Sequence, residues 1–302
     1  MKSLIGLGSN LGDRFSTLDQ AVEKLDALPD VSVVQKSTWY ESDPAGLTDS
    51  ADRFANSVAT VETTLEPHQL LRQLQAIEDE LGRQRGARWE ARTVDLDLLL
   101  CDQQIIYTPE LEIPHPRMCF RDFVLRGAVE IEPDWFVPNQ LLTIARLWEN
   151  LNRIPKYIAL RGDSALCAEM VATVARMDLN CRTALDPAVH QPSASYCEPS
   201  RRRELERVLV DLPEQQVLVT DFTVGWLAGV LADPELPSPN ALELPEPTLM
   251  ISVTGGETQT HGQLKAKPGV SGAFGALYEL TGTDLDWNVR ELRAAIETIG
   301  GC

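Results

Sequence analysis

Two carboxylates stand two residues apart on an apolar stretch, Thr93-Val94-Asp95-Leu96-Asp97-Leu98-Leu99-Leu100. Side chains on a strand alternate, so Asp95 and Asp97 point to one face, roughly 6–7 Å apart along the chain. Two bare carboxylates on one face are costly to bury unless cations sit beside them. Oxygen donors of this kind suit Mg²⁺, which takes one or two carboxylates and keeps water and phosphate oxygens in its shell. Two such ions about 3.5–4 Å apart can clamp a phosphoryl transfer. On spacing alone, a solvated face at a sheet edge explains the pair equally well.

The preceding loop adds cations. Arg83, Arg85, Arg88 and Arg92 fall within ten residues. A guanidinium is a planar fork matched to phosphate oxygens. Metals on one side and cationic donors on the other are what phosphoryl transfer needs, since little covalent chemistry is asked of the protein. The plainer reading is a basic, solvated loop. Phe54 with Asn56 suits a flat heterocycle, one ring to stack and one amide to read donors and acceptors; core packing is the default for such a Phe. Pro114-His115-Pro116 and Arg121-Asp122-Phe123 are unremarkable alone.

These residues need a scaffold. Leu4–Leu7 reads as a strand, followed by a Gly-rich turn with Asn10 or Asp13 as helix cap. Phe15, Leu18, Val22, Leu25 and Leu28 carry a helix over 14–28. A strand runs from Val31 to about Tyr40, and a polar loop fills 42–53, a length more often functional than decorative. Phe54–Glu62 is a strand, 66–82 a helix opened by Pro67, and 93–100 a strand. The order β-α-β-β-α-β predicts an α+β, ferredoxin-like domain.

Pro133, Pro138 and Pro155 bracket a boundary, giving domains at 1–150 and 151–302. Beyond it lie a strand at 157–160, a helix at 164–177, apolar runs at 217–219 and 249–253, and a last helix at 288–299. Strands alternating with helices predict a separate α/β domain with a parallel sheet. Residues 233–247 hold five prolines and read as an irregular loop.

Composition narrows the function. In 302 residues, 27 Lys+Arg against 45 Asp+Glu give a net charge of −18, which argues against nucleic acid and anionic membranes as partners. A polyanionic substrate must be held by local arginines or metal ions. No run of about 18 apolar residues predicts a spanning helix, and the first residues lack the apolar core of a signal peptide. Six cysteines without a CxxC pair, and four His, make zinc improbable and point to reduced thiols in the cytoplasm.

Taken together, GLGSNLGD (6–13), IEDELGRQR (77–85), RWEARTVDLDLLL (88–100), IPHP (113–116) and RDFVL (121–125) resemble the 6-hydroxymethyl-7,8-dihydropterin pyrophosphokinases of folate synthesis over residues 3–138. That family moves pyrophosphate from ATP to the pterin hydroxymethyl group and releases AMP. The resemblance implies two Mg²⁺ on Asp95 and Asp97, with ATP as co-substrate. It makes Arg83 and Arg92 the catalytic-loop arginines, with Arg85 the other candidate for the first of these. Glu78, Arg88, Trp89, His115 and Arg121 fall on the ATP side. Phe54 and Phe123 sandwich the pterin, Asn56 reads its edge, and Ser42, Pro44 and Gly46 belong to a loop over it. Two departures stand out: Glu90-Ala91 replaces the family's usual Gly-Pro, and the loop from Gly82 to Arg88 is short. A non-catalytic pterin- or nucleotide-binding scaffold is the competing class.

The second half faintly resembles a P-loop nucleoside kinase whose phosphate loop is lost. Arg161-Gly162-Asp163-Ser164 follows the strand with one glycine, and no Lys occurs between 157 and 264.

Overall fold

The computed structural model describes residues 1–43, 53–83, 93–184, 208–214, 216–220, 247–254, 276–281 and 284–300. The chain divides into two compact units, Met1–Trp148 and Glu149–Cys302.

The first unit is built on β1 (Lys2–Ser9), which is buried on both faces. After the Gly-rich turn comes α1 (Arg14–Asp26), and Asp13 supplies its cap by accepting from the Ser16 N–H at 3.2 Å. Then follow β2 (Val31–Lys36), β3 (Tyr40–Ser42), β4 (Phe54–Thr63), α2 (Pro67–Glu80) and β5 (Asp95–Cys101). The sheet runs β2-β4-β1-β5, with β3 also on β4, and every pairing is antiparallel. Pro67 starts α2 where a missing N–H costs nothing, and Gln69 accepts from the Glu66 N–H at 2.9 Å.

Alternation on β5 sorts its two faces. Leu96 and Leu98 join Ile5 and Leu7 of β1, Leu18 and Leu25 of α1, and Leu70 and Leu74 of α2 in one core. Each fully buried Leu contributes about 1.5–3 kcal/mol relative to exposure. Asp95 and Asp97 take the opposite face, as their spacing predicts, and both remain partly exposed.

A third helix, α3 (Asp122–Ile131), packs on β4 and has no counterpart in the sequence reading. It carries Phe123 and begins directly after Arg121. The strand expected from Val31 to Tyr40 is also cut in two. Between its halves the Thr38 N–H and hydroxyl both give their bonds to Glu130 of α3, at 2.9 Å each. An acceptor on a helix 92 residues away takes the bond a ladder would need. Small hairpins β6–β7 (Ile106–Tyr107, Glu112–Ile113) and β8–β9 (Phe136–Val137, Leu142–Thr143) complete the unit, and α4 (Ile144–Asn152) carries the chain into the second.

The second unit contains β10 (Lys156–Gly162), α5 (Ser164–Val174), β11 (Cys181–Ala184), β12 (Val217–Thr220), β13 (Leu249–Thr254), β14 (Ala276–Thr281) and α6 (Leu285–Gly300). Its sheet is β11-β12-β10-β13-β14 and wholly parallel, as the alternating elements predict. Its central strands β10, β12 and β13 are largely apolar and buried, the signature of a parallel sheet covered on both faces, whereas the edge strand β11 is only partly buried. Most of the proline-rich stretch at 233–247 lies outside the described residues.

Candidate active site

The N-terminal end of β5 gathers charge from three other segments. Arg83, just beyond α2, sets its guanidinium 2.7 Å from Asp95 and also pairs with Glu78. Arg121, at the head of α3, lies 3.2 Å from Asp97. The Asp95 and Asp97 side chains keep 27% and 34% of their surface exposed, so neither pair is sealed from a solute.

Glu78 anchors this arrangement from below. It is buried on α2, and its Oε1 accepts the Leu96 N–H of β5 at 2.7 Å. Burial pushes its carboxyl up to about 7, against the pull of the Leu96 N–H and Arg83, and the neighbouring aspartates push the same way as burial.

His115 lies on the segment after β7. Its backbone N–H donates to the Leu99 carbonyl at 2.9 Å, and its ring Nδ1 accepts from the Arg117 backbone N–H at 3.2 Å. Burial holds the imidazole well below its ordinary pKa, and Arg121 and Arg117 add to that effect. The neutral ring thus keeps its proton on Nε2.

A second group forms where β3 meets β4. Asn56 is buried, and its Nδ2 donates to the Ser42 hydroxyl at 2.9 Å and the Phe54 carbonyl at 3.4 Å. Phe54 and Phe123 are half-buried rather than core residues, and Arg121 stacks 5.4 Å from the Phe123 ring centroid. Gly8 of β1 is in register with Asn56 on one side and Asp95 on the other. One strand thus separates the amide from the carboxylates.

The structure therefore brings together Glu78, Arg83, Asp95, Asp97, His115 and Arg121, and separately Ser42, Phe54 and Asn56; Phe123, in the first turn of α3, meets Arg121 through its ring and Tyr40 of β3 through its carbonyl. Pro44, Gly46, Arg85, Arg88, Trp89, Glu90, Ala91 and Arg92 lie outside the described residues. Three supports escaped the sequence reading. Ser9 donates to the Thr93 carbonyl at 2.6 Å, fixing the lead-in to Asp95. Arg14 reaches Glu41 at 2.7 Å, and Glu41 also meets Arg53 at 3.3 Å. Tyr40 donates to the Phe123 carbonyl. Of these, Ser9, in the Gly-Ser-Asn sequence at the end of β1, carries a sequence signal.

The donor set fits a divalent cation. Two hard carboxylates share one face, and each already has a positive group against it, so the position accepts cationic charge. Phosphate oxygens would then find two guanidinium groups at its edge.

A family model described as 7,8-dihydro-6-hydroxymethylpterin-pyrophosphokinase matches residues 4–133. Proteins named 2-amino-4-hydroxy-6-hydroxymethyldihydropteridine pyrophosphokinase are similar to this chain. The one from Bacillus subtilis is 48% identical over 127 residues, 42% of this chain and 75% of that protein. The one from Pseudomonas aeruginosa is 40% identical over 155 residues, 50% of this chain and 95% of that protein. A crystal structure of Plasmodium falciparum HPPK-DHPS with pteroate aligns over 99% of this chain and 79% of that chain, at 10% identity and a TM-score of 0.41, too slight a likeness to bear on the fold.

Proposed function

Because the chain belongs to the 7,8-dihydro-6-hydroxymethylpterin-pyrophosphokinase family, we propose that residues 1–150 transfer pyrophosphate from ATP to 6-hydroxymethyl-7,8-dihydropterin and release AMP, a step of folate biosynthesis. The pterin hydroxymethyl oxygen attacks the β-phosphorus, the bond to the α-phosphate oxygen breaks, and the hydroxyl proton is lost. The order β2-β4-β1-β5 supports a ferredoxin-like frame for this unit.

The carrying observation is the carboxylate pair on β5 with a guanidinium from a different segment against each. Asp95 and Asp97 would hold Mg²⁺, two ions in our reading, whose charge offsets that of the triphosphate. Arg83, Arg88, Arg92 and Arg121 would turn to the phosphates, with Arg83 and Arg92 engaging most strongly as charge shifts. Glu78 positions Arg83. Neutral His115 offers an N–H on the ATP side, and Trp89 belongs there too. Phe54 and Phe123 would flank the pterin, Asn56 and Ser42 would read its edge, and Pro44 and Gly46 would sit in the loop over it.

Among the described residues no helix is long and apolar enough to cross a membrane, and Cys101, Cys119, Cys167 and Cys181 are free thiols, in keeping with a reducing, cytoplasmic setting. The second unit, residues 151–302 in our division, is an α/β domain whose strand–turn–helix at 157–166 makes no phosphate loop. The test is AMP production from ATP and Mg²⁺ with and without the pterin. Pterin-dependent AMP is expected; its absence would sink the reading.

A further inference from the structure

A three-residue strand links the two halves of the pterin-side group. On β3, Ser42 takes the Asn56 amide at 2.9 Å, and two residues earlier, on the same face of the strand, Tyr40 reaches α3. Its hydroxyl donates to the Phe123 carbonyl, in the first turn of the helix. Register places Tyr40 opposite Asn56 and Ser42 opposite Phe54 on β4.

The hydroxyl can reach that carbonyl because residue 127 is glycine. A Cβ there would stand 2.7 Å from the Tyr40 hydroxyl and 2.9 Å from a Val58 methyl. Such approaches are closer than carbon tolerates, so any side chain at 127 would push α3 away from β3 and β4. The Phe123 carbonyl lies four residues before Gly127, and the phenol enters the notch that the glycine leaves. Tyr40 is 7% exposed, and the Arg126 guanidinium stacks 4.8 Å from its ring centroid. Burial raises the phenol well above its ordinary pKa, so it stays protonated and a donor.

We propose that Tyr40, seated against Gly127, is a positioning residue that fixes α3 and hence Phe123 relative to Phe54 and Asn56, setting the width of the slot for the pterin ring. The inference rests on the pterin assignment above. Arg121 has its own tie to Asp97 at 3.2 Å, so the phosphate side depends less on this bond. A planar ring held between two others loses stacking when the gap widens by a fraction of an ångström.

Tyr40→Phe keeps the ring and removes only the donor. The protein is titrated with the pterin in the presence of a non-hydrolysable ATP analogue and Mg²⁺, and separately with the analogue alone. Pterin affinity is expected to fall about fivefold, the effect of one lost hydrogen bond, with analogue affinity changed by less than about twofold. Gly127→Ala should weaken pterin binding at least as much. In Tyr40→Phe, unchanged pterin affinity, or an equal loss for both ligands, would overturn the proposal. Wild-type protein that makes no AMP would instead refute the functional reading on which it rests.

Discussion

Two strand ends carry acidic residues, and the molecule uses them in opposite ways. At the start of β5, Asp95 and Asp97 are held by guanidinium groups from two other segments, and both stay partly exposed. At the end of β10, Asp163 spends its carboxylate within its own turn. Its carboxylate accepts the Leu166 N–H at 3.0 Å, capping α5, and its N–H donates to the Val253 carbonyl at 3.0 Å. Gly162 before it has φ +117°, and a Cβ there would collide with that same carbonyl. An anion site at a helix start needs free N–H groups and no local negative charge. This turn offers a bonded N–H and a carboxylate. At β5 the acidic residues are paired across elements with cations, the arrangement that our functional reading needs for an exchange of partners, whereas at β10 the carboxylate is satisfied locally and caps a helix.

The comparison breaks most sharply at the first end. Asp95→Ala and Asp97→Ala should each lower AMP production by about 10³-fold, since a metal ligand accounts for several kcal/mol of charge stabilisation. The fold should survive, because removing one of several crowded carboxylates relieves like-charge repulsion. Steady-state AMP release with Mg²⁺ and a thermal melt measure the two effects. Near-normal turnover in either variant would return these residues to the role Asp163 plays.

Arg83→Ala tests the exchange of partners itself. In our reading the guanidinium pairs with Asp95 and Glu78 at rest and with phosphate as charge develops. Then kcat should fall about 10²-fold and KM for ATP change much less, because the contact strengthens in the transition state. The melt should also shift down, since buried Glu78 loses its cation. An equal kcat loss in Arg85→Ala alone, with Arg83→Ala near wild type, would assign the role to the other arginine of the short loop.

These contrasts were unevenly legible in the sequence. Asp95, Asp97, Arg83 and Glu78 lie within twenty residues, and their chemistry follows from type and spacing. The Asp13 cap and the Pro67 start of α2 are local signals, and they appear where expected. Helix α3 is not announced that way: Arg121, its N-cap residue, makes no side-chain capping bond. Its docking depends on Gly127, Tyr40 and Glu130 meeting across more than 80 residues of chain. The break between β2 and β3 has the same origin. Tyr40 was therefore unreadable as a site residue, because its role exists only once α3 lies on the sheet. In the second unit, strand order was beyond the sequence, while the parallel layer was not, since apolar runs alternating with helices allow little else.

The smallest effect is expected at the second end. Asp163→Ala removes the α5 cap, which costs about 1 kcal/mol, a fall in melting temperature of roughly 2–4 °C for a unit of this size. The Asp163 N–H bond to Val253 remains, because the backbone is unchanged. AMP production should match wild type, and a titration with a non-hydrolysable ATP analogue should give one site per chain in both proteins. If the turn were instead a phosphate site, wild-type protein would show a second nucleotide site, and removing a carboxylate from the helix start would tighten it. That result would erase the distinction between the two strand ends. One site per chain with a small loss of stability would leave Asp163 a cap and β5 the end where acidic side chains meet substrate.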